Sequence, residues 1–362
     1  MNVSVLFFEL IKVSLNNKQQ FLSAPSAEEW QELFAYARKQ ALIGVLFAGI
    51  QQLPENQRPP RELLIKWYML TEQIKKQNSL LNVRAAETSA YFADNGFANC
   101  ILKGQGLAIL YPDPLLRMSG DIDIWLEGGR ERIFEFAEQK GKLQGVNYHH
   151  VAYPLYDDTE VEVHVLPNRL NNPFLNSKLQ AYFREVASKQ FGNFTELPDG
   201  VGHIPVPTTQ FNAFYVLLHI YHHLFGEGIG LRQMMDYYYV LQQPMTSEER
   251  AELLGLFECF GMMRFVRATM YVMQEVFGLN EEYLLAKPSK NDGEFLLGEI
   301  MLAGNFGQYD ERSKGRSRSV IKRFANSLKR NVRFLRNYPS EVLWDIPFRI
   351  WLYLWRKRKG YI

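Results

Sequence analysis

The chain has 362 residues, 47% of them apolar and 22% charged, with 41 basic against 39 acidic side chains and a formal net charge of +2 at pH 7. That length holds two or three domains, or one large one, with an ordinary buried core. The near-neutral balance gives no general charge argument for a nucleic-acid partner, and Cys100 and Cys259, outside any C-x-x-C, imply neither a disulfide framework nor a zinc site. Both cysteines read as buried free thiols in a reducing compartment. The first 13 residues are apolar but carry Glu9 and lack a basic leading region, so they do not read as a signal peptide. No run reaches the roughly 20 apolar residues of a membrane span, and the expected location is the cytoplasm.

Residues 1–97 read as an N-terminal helical region. A short helix is expected over 3–15. Ser26 is placed to cap the next, with Glu28 and Glu29 in its first turn and Trp30, Leu33, Phe34, Ala37, Ala41 and Leu42 at helical spacing. Pro54, Pro59 and Pro60 interrupt the pattern, and a long helix runs from about 61 to 94, where Asn95-Gly96 supplies a left-handed cap.

Residues 98–170 change character. Asn99 to Leu102 reads as a buried strand, Gly104 to Tyr111 as a turn into a short helix, and Gly120 to Leu126 as a second strand. A helix over 130–140 follows, then strands over 148–156 and 160–166 around an Asp157-Asp158-Thr159 turn. From 171 to 310 the chain is expected to be helical, over 209–224, 231–242, 247–260, 264–277 and 291–304. A further helix is expected over 316–336. Residues 311–362 are basic and rich in tryptophan, ending in Arg356-Lys357-Arg358-Lys359. This tail is a candidate contact for a membrane surface, RNA or a glycan carrier. Set against that is a terminal helix that docks its Trp stripe on the body while its charges stay wet.

The chemistry concentrates in the second of these regions. On a strand, Asp121 and Asp123 point to one face and Ile122 and Ile124 to the other. Two like charges so placed need an offset, and oxygen ligands of this kind suit Mg²⁺ or Mn²⁺. The strand over 160–166 alternates in the same way: Glu160, Glu162 and His164 on one side, Val161, Val163 and Val165 on the other. Glu162 is the expected third carboxylate, with Glu160 as fallback. Two aspartates on one strand and a third acid on a neighbour can hold metals against phosphate oxygens. Gly104 and Gly106 allow close backbone approach to a phosphate, and Lys103 and Arg117 are candidates for its charge. Lys103 reads equally well as a solvated strand end, and Arg117 as a structural partner of Asp113 or Asp121. His219 and His223 share a helix face at i,i+4, beside His222, and read as pocket-lining or core rather than as zinc ligands. Arg232 and Asp236 are expected to pair.

Leu102-Lys103-Gly104, Tyr111-Pro112-Asp113-Pro114, Arg117, Gly120-Asp121-Ile122-Asp123 and Val161-Glu162-Val163-His164 together resemble the uncharacterised nucleotidyltransferase family of the DNA polymerase β-like superfamily. The likeness continues through Leu218-His219 to His223, Gly230 to Asp236, and Tyr338-Pro339-Ser340-Glu341. It implies an α+β fold, with a small mixed-sheet core flanked by helical regions. It also implies Mg²⁺- or Mn²⁺-dependent transfer of a nucleoside monophosphate from an NTP, ATP first, to a hydroxyl of a small molecule or protein. Asp121, Asp123 and Glu162 would be the metal and catalytic carboxylates. Lys103, Gly104, Gln105, Gly106, Arg117 and Ser119 would face the nucleotide. Two features depart from the superfamily pattern. Gly104-Gln105-Gly106 stands where Gly-Ser is usual, leaving the Gln105 amide or Ser119 in the hydroxyl's place, and the spacing from Gly104 to Asp121 is longer. The alternative is a catalytically degenerate member that binds a nucleotide or a partner. The acceptor and the oligomeric state are open at this level.

Overall fold

The computed structural model describes residues 3–141, 143–313 and 331–361. In chain order its main elements are helices α1 (Val3–Ser14), α2 (Ala27–Lys39), α3 (Ile43–Gln52) and α4 (Arg61–Asp94), strand β1 (Asn99–Ile101), the short helix α5 (Gln105–Ala108), β2 (Ile122–Leu126), α6 (Gly129–Glu138), β3 (His150–Ala152), β4 (Val161–His164), α7 (Pro173–Phe191), β5 (Phe194–Leu197), β6 (Gly202–Pro205), α8 (Thr209–Gly226), α9 (Leu231–Leu241), α10 (Ser247–Cys259), α11 (Met263–Val272), α12 (Lys290–Ala303) and α13 (Pro339–Arg358). The fold is α+β: a mixed-sheet nucleotidyltransferase-like core among flanking helices. Most of the helix expected over 316–336 lies outside the described residues. Among the described residues no helix is long and apolar enough to cross a membrane.

Two compact units divide the chain, and neither is continuous in sequence. The first comprises Met1–Ser79, Leu110–Met118 and Glu227–Glu311. Its helix α2 starts where Ser26 Oγ accepts the Glu29 N–H at 3.2 Å and the Glu29 carboxylate accepts the Ser26 N–H at 2.8 Å. The apolar run expected to continue through Leu42 is broken at Ala41, whose φ of +55° turns the chain into α3. Trp67 is the hub of the packing: its ring meets Trp30 and Phe34 edge-on, and its indole N–H donates to the Ile43 carbonyl at 2.8 Å. Cys259 departs from expectation and is exposed. It lies two positions beyond Phe257, and so on the opposite side of α10 from the buried Leu253 and Phe257.

The second unit comprises Leu80–Ile109, Ser119–Gly226 and Arg312–Ile362. Its four-stranded sheet has the order β1-β2-β4-β3, with β1 antiparallel to β2, β2 parallel to β4, and β4 antiparallel to β3. Ile101, Ile122, Ile124, Val151, Val161, Val163 and Val165 form one apolar face, buried with Phe92 of α4 and Phe134 of α6. The alternation that buries these residues sends Asp123, Trp125, Glu162 and His164 to the other face. Helix α8 lies over that second face, with Phe211 stacked on Trp125 and His219 against Lys103. A hairpin of β5 and β6, in a stretch expected to be helical, turns through Pro198-Asp199-Gly200. In the C-terminal helix α13, Phe348 and Trp351 pack edge-on to Tyr148, and the Arg130 guanidinium lies 5.0 Å from the Tyr148 ring and 5.1 Å from Trp355.

Candidate functional site

The site is assembled by strand register. Parallel pairing of β2 with β4 sets Asp123 beside Glu162 and Trp125 beside His164. Antiparallel pairing of β3 with β4 sets His150 opposite His164. Three strands thus contribute two carboxylates and two imidazoles to one face. Lys103 reaches the same point from just beyond β1, where the Leu102 N–H donates to the Asp123 carbonyl at 2.9 Å.

Asp123 is the centre. It is 2% exposed. Its Oδ1 accepts from the Lys103 ammonium at 2.9 Å and from His164 Nε2–H at 2.8 Å. His164 Nε2 is also 3.7 Å from Glu162 Oε2, and His150 Nδ1 lies 3.2 Å from the same oxygen. The Lys103 ammonium further donates to His219 Nε2 at 3.2 Å, which fixes the proton of that imidazole on Nδ1.

These contacts decide the charges. Burial works against ionised Asp123, but Lys103 and His164 outweigh it and hold the carboxyl well below the usual carboxylate range. Burial likewise works against charge on His164, but Asp123 and Glu162 push the imidazole up to about 9. Burial would also lower Lys103, and Asp123 and Asp121 reverse it, so the ammonium is raised. Glu162 is lowered: burial raises it, and its bond with His164 more than offsets that. His150 has no such excess of carboxylate, and burial brings it down to about 4. Burial keeps His149, His219 and His222 well below the ordinary imidazole value.

The other sequence-predicted residues fall in different places. Asp121 stands just before β2 and is exposed; its carboxyl is raised, first by repulsion from Asp123. Gly104 adopts a φ of +49°, and a Cβ there would stand 3.4 Å from the Asp121 carbonyl oxygen, so the glycine turn lies directly beside the D-x-D. Gly106 sits tightly against Val206, where a Cβ would stand 3.1 Å from its methyl. Gln105 is buried, and its amide donates to Asn82 of α4. Ser119 is half-buried, and Glu160 is exposed with its carbonyl accepting from Ile122 N–H. Arg117 belongs to the first unit, where Nε and a terminal nitrogen hold Asp236 at 2.7 and 2.9 Å. Arg232, the expected partner of Asp236, is at 3.7 Å.

Among the described residues two sets of side chains place potential ligand atoms within 4.8 Å of one another: Asp123, Glu162 and His164, and His149, His150 and His164. Either set can coordinate a divalent ion. Asp121 is in neither. His149 and His150 carried no signal by themselves, because only the pairing of β3 with β4 brings them beside His164.

A family model described as uncharacterised nucleotidyltransferase matches residues 26–278 of this sequence. The chain belongs to the uncharacterised nucleotidyltransferase family. That match takes in the sheet, the D-x-D segment, Glu162, His164 and the histidines of α8. Among curated proteins none matches the chain. Among solved structures it is similar to an antigenic nucleotidyltransferase-like protein from Paracoccidioides brasiliensis. The identity is 14% and the TM-score 0.31, over 52% of this chain and 88% of that one. Membership in the uncharacterised nucleotidyltransferase family, with a carboxylate–histidine cluster on the sheet, gives the protein the parts of a metal-binding nucleotidyltransferase.

Proposed function

We propose that the protein is a metal-dependent nucleotidyltransferase, which transfers a nucleoside monophosphate from an NTP, ATP first, to a hydroxyl of a small molecule or protein. The observation that carries this reading is Asp123 beside Glu162 on paired strands, both held ionised, in a chain of this family. The donor set fits the ion: two carboxylates, Asp123 and Glu162, inside one coordination radius, and a third, Asp121, two residues before Asp123. Mg²⁺ or Mn²⁺ held by Asp121, Asp123 and Glu162 would supply charge stabilisation at the phosphate oxygens.

The chain's own residues do the rest. Lys103 and His164 keep Asp123 ionised in a buried position, where a lone carboxyl would be neutral. With Asp123 holding a cation, the Lys103 ammonium would be free to meet a phosphate. The turn 103–106, beside Asp121, offers backbone to the same group. Glu162 would also assist in taking the acceptor hydroxyl's proton. Gln105 and Ser119 complete the proposed nucleotide side.

A panel of NTPs with Mg²⁺ and Mn²⁺, scored for pyrophosphate release against small-molecule and protein hydroxyl acceptors, tests the transfer. The expected outcome is metal-dependent release that Glu162→Gln lowers by about 10²–10⁴-fold. Metal-dependent NTP binding with no release under any acceptor would identify a binding member of the fold instead.

A further inference from the structure

Three histidines lie together at the edge of the carboxylate cluster, and the proposed transfer does not use them as ligands. His149, His150 and His164 each offer a ring nitrogen within 4.8 Å of the others'. Their rings meet at centroid distances of 4.5, 5.2 and 5.5 Å. His149 is 7% exposed, and its Nδ1 is buried with no hydrogen-bond partner; the same holds for Nδ1 of His164. A buried polar atom left unpaired costs about 1–3 kcal/mol, so native structures rarely keep two side by side without a ligand.

The kind of ligand follows from the donors. Three converging imidazoles make a ligand set for a cation, which binds at His164 with release of its Nδ1 proton. Imidazole nitrogen is a borderline donor that suits Zn²⁺, Co²⁺ and Ni²⁺, whereas Mg²⁺ takes oxygen. His164 carries a further mark. Its Nε2–H is held by Asp123 at 2.8 Å, which leaves Nδ1 as the coordinating atom. A carboxylate behind an imidazole is the usual way a protein fixes the tautomer and angle of a metal-bound histidine. His150 Nδ1 is likewise buried without a hydrogen bond, with a Glu162 carboxylate oxygen 3.2 Å away.

We propose that His149, His150 and His164 bind a transition-metal dication of the Zn²⁺ class, at a site separate from the oxygen-ligand site and joined to it through His164 and Asp123. This assignment rests on the imidazole cluster alone and holds whether or not the protein transfers nucleotides. Loading the site ties β3 to β4 and stabilises the fold by mass action.

The full chain, stripped with chelator, is titrated with Co²⁺ by visible absorption and with Zn²⁺ by calorimetry, without nucleotide. One ion of each is expected to bind, with a Co²⁺ band typical of nitrogen ligands. The variant with His149→Ala and His150→Ala is expected to lose more than the roughly 10–100-fold in affinity that removal of an outer-shell partner costs. If that variant does not fold, His150→Gln at a half-buried position gives the same reading. Asp121→Asn is the control: Zn²⁺ affinity should stay within threefold of wild type, while Mg²⁺-dependent NTP binding falls if the transfer site is as proposed. Absence of stoichiometric Co²⁺ and Zn²⁺ binding overturns the proposal. So does unchanged Zn²⁺ affinity in the histidine variants, or a Zn²⁺ loss in Asp121→Asn as large as theirs.

Discussion

Arg117 and Asp236 show how a residue's role depends on where the rest of the chain puts its partner. Arg117 is 3% exposed, and its guanidinium grips Asp236 in two-point contact, with the Tyr111 hydroxyl donating to the same carboxylate at 2.7 Å. Removing one partner of such a buried pair leaves an uncompensated charge and costs about 3–5 kcal/mol. Arg117→Met should therefore lower unfolding stability in denaturant by that amount, and adding Asp236→Asn should recover most of it. The sequence offered Arg117 as a phosphate contact or a structural partner of Asp113 or Asp121. A partner 119 positions away cannot be read from spacing. Asp123 and Glu162 were legible, because alternation with isoleucine and valine is a local pattern that survives into the fold. The Lys103 contact to Asp123 was not, since it needs β1 and β2 to be neighbours.

Elements were legible where their ends carry chemistry. Ser26 and Glu29 mark the start of α2, and the reciprocal bonds are present. Ser26→Ala should cost about 1 kcal/mol in a denaturant melt, with no effect on metal or nucleotide binding. The break at Ala41 had no such mark, because a non-glycine residue at positive φ is paid for by tertiary packing. The β5–β6 hairpin was missed although Pro198-Asp199-Gly200 is turn chemistry, because its strands of four residues are too short to establish a period against helical surroundings. Helix α8 shows the opposite case. Phe211, Tyr215, His219 and His222 fall on one stripe, and the structure brings Phe211 to Trp125, His219 to Lys103 and His222 to His149. Helical spacing set His219 and His223 on one face, and only the fold shows which sheet face the helix covers.

At the scale of the molecule, the two compact units are each built from three separated stretches, so order along the chain does not reveal them. The second unit also holds a pH-sensitive packing contact between α13 and the segment after β4. Glu341 of α13 is 4% exposed, and burial pushes its carboxyl up to about 7, from an ordinary 4.5, against the pull of the Asn171 N–H and Arg169. The folded state therefore keeps a proton that the unfolded chain releases. That contribution to stability is complete below about pH 4.5 and is lost as pH rises through 7. Thermal unfolding between pH 5 and 8 should show this fall in the wild type and a shallower one in Glu341→Gln, with the variant gaining relative to wild type at pH 8.

The central claim is that the carboxylates beside the glycine turn hold a divalent ion against an NTP. Calorimetric titration with a non-hydrolysable ATP analogue, in Mg²⁺, in Mn²⁺ and in chelator, tests it most directly, comparing wild type with the Asp121→Asn and Asp123→Asn double variant and using circular dichroism to confirm folding. Wild type should bind only with metal, and the folded double variant should lose that metal-dependent affinity. Equal wild-type affinity in chelator and in Mg²⁺, or full metal-dependent affinity in the double variant, would contradict the account.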